Sequence, residues 1–190
     1  MAVLSHSLDC VAESIGRGEA DAFDRLYDRV ADRLFRFAFR FLSDREDAED
    51  AVQQAFLELA QSAGRPDNGR SLEAWLFASV RYTCIDLLRR RSRRPEVPQE
   101  QLPEVDGEDQ YQLGVDPSLE RALASLTDAQ RQIIHLKYVE GLDGQQIADI
   151  MDTNRVAVYA MSGRAERRLK NLLIRIDSGR TPKRKGFKGD

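Results

Sequence analysis

Between Pro95 and Pro117 the chain carries four of its six prolines and not one lysine or arginine. Prolines spaced among acids favour extended backbone and bury little apolar area, so residues 95–118 are expected to be a flexible tether rather than part of a packed core. In a chain of 190 residues, that interruption leaves two small modules, 1–94 and 119–176. A basic tail, 177–190, follows with glycine and proline but no apolar period, and is expected to be disordered.

The same stretch changes what the net charge means. A formal value of -3 argues at first against a nucleic-acid binder, which needs a basic face to neutralise phosphates. The charge is sorted along the chain, however. Residues 1–94 hold 15 bases and 16 acids, residues 95–118 hold seven acids and no base, and residues 119–190 hold 14 bases and nine acids. A near-neutral module, an acidic tether and a basic module form a different electrostatic object from a uniformly acidic protein.

Both modules read as helical. From Ala22 to Leu42, Phe23, Leu26, Tyr27, Val30, Leu34, Phe37, Ala38 and Phe41 recur at steps of three and four, one stripe of a 3.6-period helix. Ser43 stands three residues before Glu46, the spacing of a capping box, and so predicts the start of a second helix that buries Ala48, Val52, Ala55, Phe56 and Leu59. Asp50, Gln53 and Gln54 then face outward. A third helix is expected from about Ser71 through Trp75, Leu76, Val80, Ile85 and Leu88 into Arg89-Arg90-Arg91, with Trp75 in the core. In the second module, Thr127 with Gln130 and Asp143 with Gln146 predict two capping boxes, and Asn154 predicts the cap of a final long helix. The last two helices have helix-turn-helix spacing. No segment alternates like a strand, so the fold class is all-α.

Several functions are excluded. No run approaches the roughly 18 apolar residues of a membrane span, and the first residues lack the pattern of a secretion signal, so a cytoplasmic location is expected. Cys10 and Cys84 have no metal-binding or redox spacing and read as reduced thiols. His6 and His135 stand alone, and no nucleophile triad, phosphate-cradling glycine loop or metal-ligand cluster is present as a sequence signal. Neither enzyme activity nor a cofactor or metal is expected. The five carboxylates Asp44, Glu46, Asp47, Glu49 and Asp50 are, taken alone, explained by helix-dipole stabilisation and solubility.

Within a longer run they carry more. Asp47-Ala48-Glu49-Asp50-Ala51-Val52-Gln53-Gln54-Ala55-Phe56 resembles the second region of bacterial RNA polymerase sigma factors, specifically the extracytoplasmic-function (ECF) group of the sigma-70 family. Gly18 to Phe23 with Leu26-Tyr27 resembles that family's opening helix, and Trp75-Leu76-Phe77 with Asp86 to Arg90 resembles the end of its first domain. Leu126-Thr127, Gln130-Arg131, Tyr138 to Leu142, Ile147-Ala148 and Arg164-Ala165 resemble its fourth region. The likeness spans roughly residues 11–94 and 119–173.

The resemblance implies two helical domains, region 2-like and region 4-like, and a set of partners. Asp47, Glu49, Asp50, Gln53 and Gln54 would dock on the clamp of the largest subunit of core RNA polymerase, and the second module on the flap of the second-largest subunit. Asn68, Arg70, Arg81 and Tyr82 would capture unstacked bases of the melted -10 promoter element, which needs stacking surfaces and hydrogen-bond donors. Tyr82 stands where the family often has Asn. Arg89, Arg90 and Arg91 would contact phosphates nearby. Asn154, Arg155, Tyr159, Arg164, Arg167 and Arg168 would meet the -35 element, the later arginines as phosphate clamps. Asp152 occupies a turn position where Gly is usual, and Ala157, Tyr159, Met161 and Gly163 replace residues that in the family are commonly base or phosphate readers. An anti-sigma factor is a further implied partner. The thinned reading face keeps two alternatives open: a sigma mimic that binds only an anti-sigma factor, and a stand-alone helix-turn-helix regulator.

Overall fold

The computed structural model describes residues 2–19, 21–62, 70–93 and 117–177, and these contain eight α-helices and no strand. The helices are α1 (Ala2–Gly16), α2 (Ala22–Leu42), α3 (Arg45–Gln61), α4 (Leu72–Arg93), α5 (Pro117–Ala124), α6 (Asp128–Tyr138), α7 (Gly144–Met151) and α8 (Arg155–Asp177). Residues 94–116 and 178–190, which include nearly all of the expected tether and tail, lie outside the described residues.

Helix α2 spans the expected range and buries Leu26, Val30, Leu34, Phe37, Ala38 and Leu42. Tyr27 departs from the expected stripe and is 49% exposed, while Phe23 and Phe41 are half-buried. The α2–α3 corner also differs by one residue from the sequence expectation. Ser43 ends α2 in the left-handed region at φ 50°, its N–H donating to the Phe39 carbonyl at 2.8 Å. It therefore cannot take the extended backbone of an N-cap. Asp44 does so instead, and its carboxylate accepts the Asp47 N–H at 3.0 Å.

Helix α3 buries Ala48, Ala51, Val52, Ala55, Phe56 and Leu59 against α2 and α4. The small residues let the helix axes approach while Phe56 and Leu59 fill the seam. Ser71 Oγ accepts the Ala74 N–H at 3.2 Å and caps α4. That helix packs against α2 on one side and α7 on another, so Leu72, Leu76, Phe77, Val80 and Cys84 are all fully buried. Phe77 meets Phe37 edge-on, with ring centroids 5.3 Å apart at 81°. Trp75 packs against the core, as expected. Helix α1 was not anticipated. It lays Leu8, Val11, Ala12 and Ile15 on the core, contacting α2 and α4.

In the second module both capping boxes are present, Thr127 with Gln130 and Asp143 with Gln146. Gly141 follows α6 at φ 70°, and Asp152 closes α7 at φ 53°, a left-handed conformation that Asp tolerates better than most residues. The α7–α8 pair is a helix-turn-helix whose seam is made by Ile147, Ala148, Met151 and Val158. The two modules are packed on each other: one buried apolar cluster runs from Phe37, Phe77 and Val80 to Ile133, Leu136, Ile147 and Ile150.

Candidate nucleic-acid and protein interfaces

The outward face of α3 follows from its buried one. Because Ala51, Val52, Ala55 and Phe56 point inward, Asp50, Gln53, Gln54 and Leu57 are exposed together. Gln54 donates to Glu58 at 3.2 Å, which orients its amide. Tyr27 of α2 flanks this face on one side and Tyr82 of α4 on the other, and a shallow groove runs along each flank. Leu57, 50% exposed, lines both grooves. Asp47 and Glu49 are occupied differently. Asp47 is half-buried and receives Arg91, while Glu49 accepts from Arg45 at 2.9 Å.

On α4 the residues expected at one nucleic-acid surface are divided. Tyr82 is 47% exposed beside α3. Arg81 points to the other side, where its Nε donates to Gln132 Oε1 of α6 at 3.1 Å. Burial pushes the Arg81 guanidinium below its ordinary value, against the favourable charges of Tyr82 and Asp152. Arg70 is half-buried at the entrance to α4, and Asn68 lies outside the described residues.

The basic end of α4 is similarly divided. Arg89 is exposed, and Arg90 pairs with Asp86 at 2.6 Å one turn earlier. Arg91 turns back to Asp44, Asp47 and the Leu42 carbonyl, joining the end of α4 to the α2–α3 corner. The Arg91 side chain nonetheless stays 46% exposed.

At the helix-turn-helix, Asn154 Oδ1 accepts the Ala157 N–H at 2.9 Å, so its amide is engaged as a cap. Arg155 donates to the Tyr159 hydroxyl at 3.3 Å and lies over the same ring, 5.9 Å from its centroid. The ring in turn lies against Gly144, where a Cβ would come within 3.1 Å of it. Glycine at 144 is what lets Tyr159 lie flat across the start of α7. Val156, 77% exposed in the first turn of α8, completes this end of the helix. Further along, Arg164, Arg167 and Arg168 are exposed and share a groove with Asn171 and Arg175. A Cβ added at Gly163 would meet no neighbouring side chain or helix within 4 Å, so internal packing does not require glycine there.

Besides its apolar packing on α5, α6 and α7, helix α8 is fastened by one carboxylate. Glu166 Oε1 accepts from Lys137 at 2.7 Å, Ser162 at 2.7 Å and Tyr138 at 3.0 Å, tying α8 to α6. Led by the Lys137 bond, these donors hold Glu166 down at about 2 against an ordinary 4.5. A carboxylate lowered on folding stabilises the fold above its unfolded value and loses that contribution as pH falls through its folded value. Acid unfolding of Glu166→Gln beside the parent protein is therefore expected to show a stability deficit that is constant above about pH 5. The deficit should shrink between 4.5 and about 2. A deficit unchanged across that window would contradict the assignment.

Two family models match the chain in order: Sigma-70 region 2 over residues 26–94 and Sigma-70, region 4 over residues 117–169. ECF RNA polymerase sigma factor SigM of Mycobacterium tuberculosis (strain H37Rv) is 30% identical over 163 residues, which cover 85% of this chain and 82% of that protein. The chain belongs to the ECF RNA polymerase sigma factors.

ECF sigma factor BldN of Streptomyces coelicolor is also 30% identical, over 172 residues, and this chain spans 64% of its length. Among solved structures, the sigma factor RpoE in complex with the anti-sigma factor NepR from Bartonella quintana superposes with a TM-score of 0.66 at 25% identity, covering 82% of this chain and 98% of that one. CnrH in complex with the cytosolic domain of CnrY shares the fold, with a TM-score of 0.63 at 24% identity over 88% of this chain and 97% of that one.

Within this ECF sigma factor, the structure brings Asp50, Gln53 and Gln54 into one open face and places Arg155 with Tyr159 at the N-terminal end of α8. It separates Arg81 from Tyr82 and engages Asp47, Glu49 and Arg91 elsewhere. Tyr27, Leu57 and Val156 are exposed beside these faces and were not among the sequence candidates. Leu57 was within reach, because it lies at the same helical step beyond Gln53 and Gln54 as they do beyond Asp50. No group of metal-ligating side chains occurs among the described residues, and no described helix is long and apolar enough to cross a membrane.

Proposed function

We propose that this ECF sigma factor joins core RNA polymerase through the Asp50, Gln53, Gln54 and Leu57 face, and then directs initiation at promoters with -10 and -35 elements. An exposed row of an acid and two amides with an apolar residue in its midst suits a basic helical partner such as the polymerase clamp. Arg81, Tyr82, Arg70 and Arg89 supply stacking and donors for a melted -10 strand. Arg155, Val156 and Tyr159 enter the -35 major groove, where Val156 offers an apolar contact to a thymine methyl. Arg164, Arg167 and Arg168 hold phosphates, and the module also meets the polymerase flap. The tether at 95–118 runs between basic walls of the enzyme, which removes the repulsion it would have for free DNA.

The observation that carries this reading is the open α3 face held on the same fold as an exposed helix-turn-helix entrance. Catalysis belongs to the polymerase, and the protein works in the cytoplasm where polymerase is found. RpoE is solved with the anti-sigma factor NepR, and CnrH with the cytosolic domain of CnrY. A regulator of that kind fits here too, and the Tyr27–Leu57 groove offers it apolar contact.

Mapping transcription start sites after overexpression tests the proposal. New start sites are expected to share two upstream elements at fixed spacing, and Arg155→Ala with Tyr159→Ala should reduce use of the upstream one. Overexpression without any new start sites would favour a mimic that binds an anti-sigma factor alone. Start sites sharing only the upstream element would favour a stand-alone helix-turn-helix regulator.

A further inference from the structure

The first two turns of α8 carry few groups that can read a base edge. Ala157 and Met161 have no conventional hydrogen-bonding side chain, and Asn154 Oδ1 is engaged by the Ala157 N–H. Arg155 and Tyr159 remain, both exposed and one helical turn apart. They are joined to each other. Arg155 Nη2 donates to the Tyr159 hydroxyl at 3.3 Å, and its guanidinium carbon lies 5.9 Å from the centroid of the same ring.

Stability gives no reason for a cation at this place. A positive charge in the first turn of a helix meets the positive end of its dipole, and Arg155 forms no ion pair with a described carboxylate. Asp143 acts on it through charge alone, its Oδ1 being taken by the Gln145 and Gln146 N–H groups that start α7. The hydrogen-bond chemistry points outward instead. A guanidinium has five N–H donors, of which one goes to Tyr159. Because the phenol oxygen accepts that bond, its own O–H is left to donate, and the pair presents donors only.

The pair is seated by the preceding helix. Gly144 opens α7, and a Cβ there would stand 3.1 Å from both Cζ and the hydroxyl oxygen of Tyr159. The group that holds Arg155 is thus the one that rests on Gly144. Gly144 is not at positive φ, so the backbone itself makes no demand for glycine. We propose that Gly144 is a positioning residue for base reading: it seats the Tyr159 hydroxyl, which fixes Arg155 as a donor pair that selects guanine. Only guanine turns two acceptors, O6 and N7, into the major groove, whereas adenine and cytosine each present a donor and thymine a methyl beside its one acceptor. The choice of a promoter base rests on the upstream-element role of α8; the seating of Arg155 does not.

Selection from a duplex library randomised over the upstream element tests this, once with the full chain alone and once with the full chain on core RNA polymerase. Enrichment of each base is read at each position. The parent should favour guanine at one position by about tenfold or more, the discrimination of a good two-donor contact. Arg155→Ala should abolish that preference. Tyr159→Phe, which keeps the ring and loses the hydroxyl, should lower it a few-fold, and Gly144→Leu, which fills the seat of the ring, should match Tyr159→Ala. Gly144→Ala should fall between parent and Gly144→Leu, because the ring then has to give by only a few tenths of an ångström.

Two further readouts separate seating from support of the fold. Alanine is a better helix former than glycine, so Gly144→Ala should unfold at the same or a higher temperature than the parent. Anisotropy with the selected duplex should show Gly144→Ala weakening binding a few-fold in the parent and not at all in Tyr159→Ala, where no ring remains to move. An equal loss in both backgrounds, or a guanine preference undiminished in Tyr159→Phe and Gly144→Leu, would overturn the seating. Absence of a guanine-enriched position with the parent in both selections would overturn the reading by Arg155. Enrichment by the chain alone, without promoter-dependent transcription from core polymerase, would reject the sigma-factor reading and leave the positioning role of Gly144 standing.

Discussion

Phe37→Ala is expected to lower the unfolding free energy by about 3–5 kcal/mol, the range for truncating a buried aromatic side chain. Phe37 is 1% exposed and stands where the modules meet, touching Phe41, Phe77 and His135 with ring centroids 5.1, 5.3 and 5.8 Å away. Those three neighbours sit on α2, α4 and α6, so no single helix can shift to fill the space without opening another seam. The cost therefore combines lost transfer energy with a cavity that relaxes poorly. Urea unfolding followed by circular dichroism should show a lower midpoint with the slope unchanged. A loss under about 1 kcal/mol would mean that the seam collapses readily and that the modules are not mutually supported.

Asp50→Arg is expected to weaken binding to core RNA polymerase by about 30-fold or more while leaving the fold intact. Asp50 is exposed on α3, so replacing it should change stability by no more than about 0.5 kcal/mol. At a docked interface the same change exchanges an attractive charge for a repulsive one. Losing one member of a buried charged pair costs about 2–5 kcal/mol, and 2 kcal/mol corresponds to about 30-fold in affinity. Gln53→Ala with Gln54→Ala should give a smaller loss, because neutral amides contribute less than a charge. Fluorescence titration of core polymerase with labelled protein measures both. Equal affinities for Asp50→Arg and the parent would remove this face from the polymerase interface.

What could be read from the residues depended on how far apart the interacting partners lie in the chain. Local chemistry was legible. The Thr127–Gln130 and Asp143–Gln146 boxes span three residues each, Asn154 caps α8 through Ala157, and Asp152 takes the left-handed turn. The apolar stripe placed α2 to the residue, and the outward orientation of Asp50, Gln53 and Gln54 followed from the buried stripe of α3. Ser43 and Asp44 were misassigned by one position because both can cap, and only the backbone conformation distinguishes them.

Pairings across the chain left no such trace. Arg91 meets Asp47 from 44 residues away, and Arg81 meets Gln132 from 51, so two residues expected at nucleic acid also make tertiary contacts. Arg33 and Glu140 are 107 residues apart, and neither stood out in a chain with 61 charged residues. Helix α1 has only Leu8, Val11, Ala12 and Ile15 to mark its packed face, a short stripe at the chain's start. Helix α5 begins at Pro117, a residue assigned to the tether, although proline is well suited to the first turn of a helix.

The most direct test of the central claim is run-off transcription with purified core RNA polymerase on templates carrying the mapped upstream elements. The parent protein should yield a transcript that requires both elements, and Asp50→Arg should yield little or none at matched concentration. Polymerase that gives no promoter-dependent product with the parent, or an equal product with Asp50→Arg, would contradict the account.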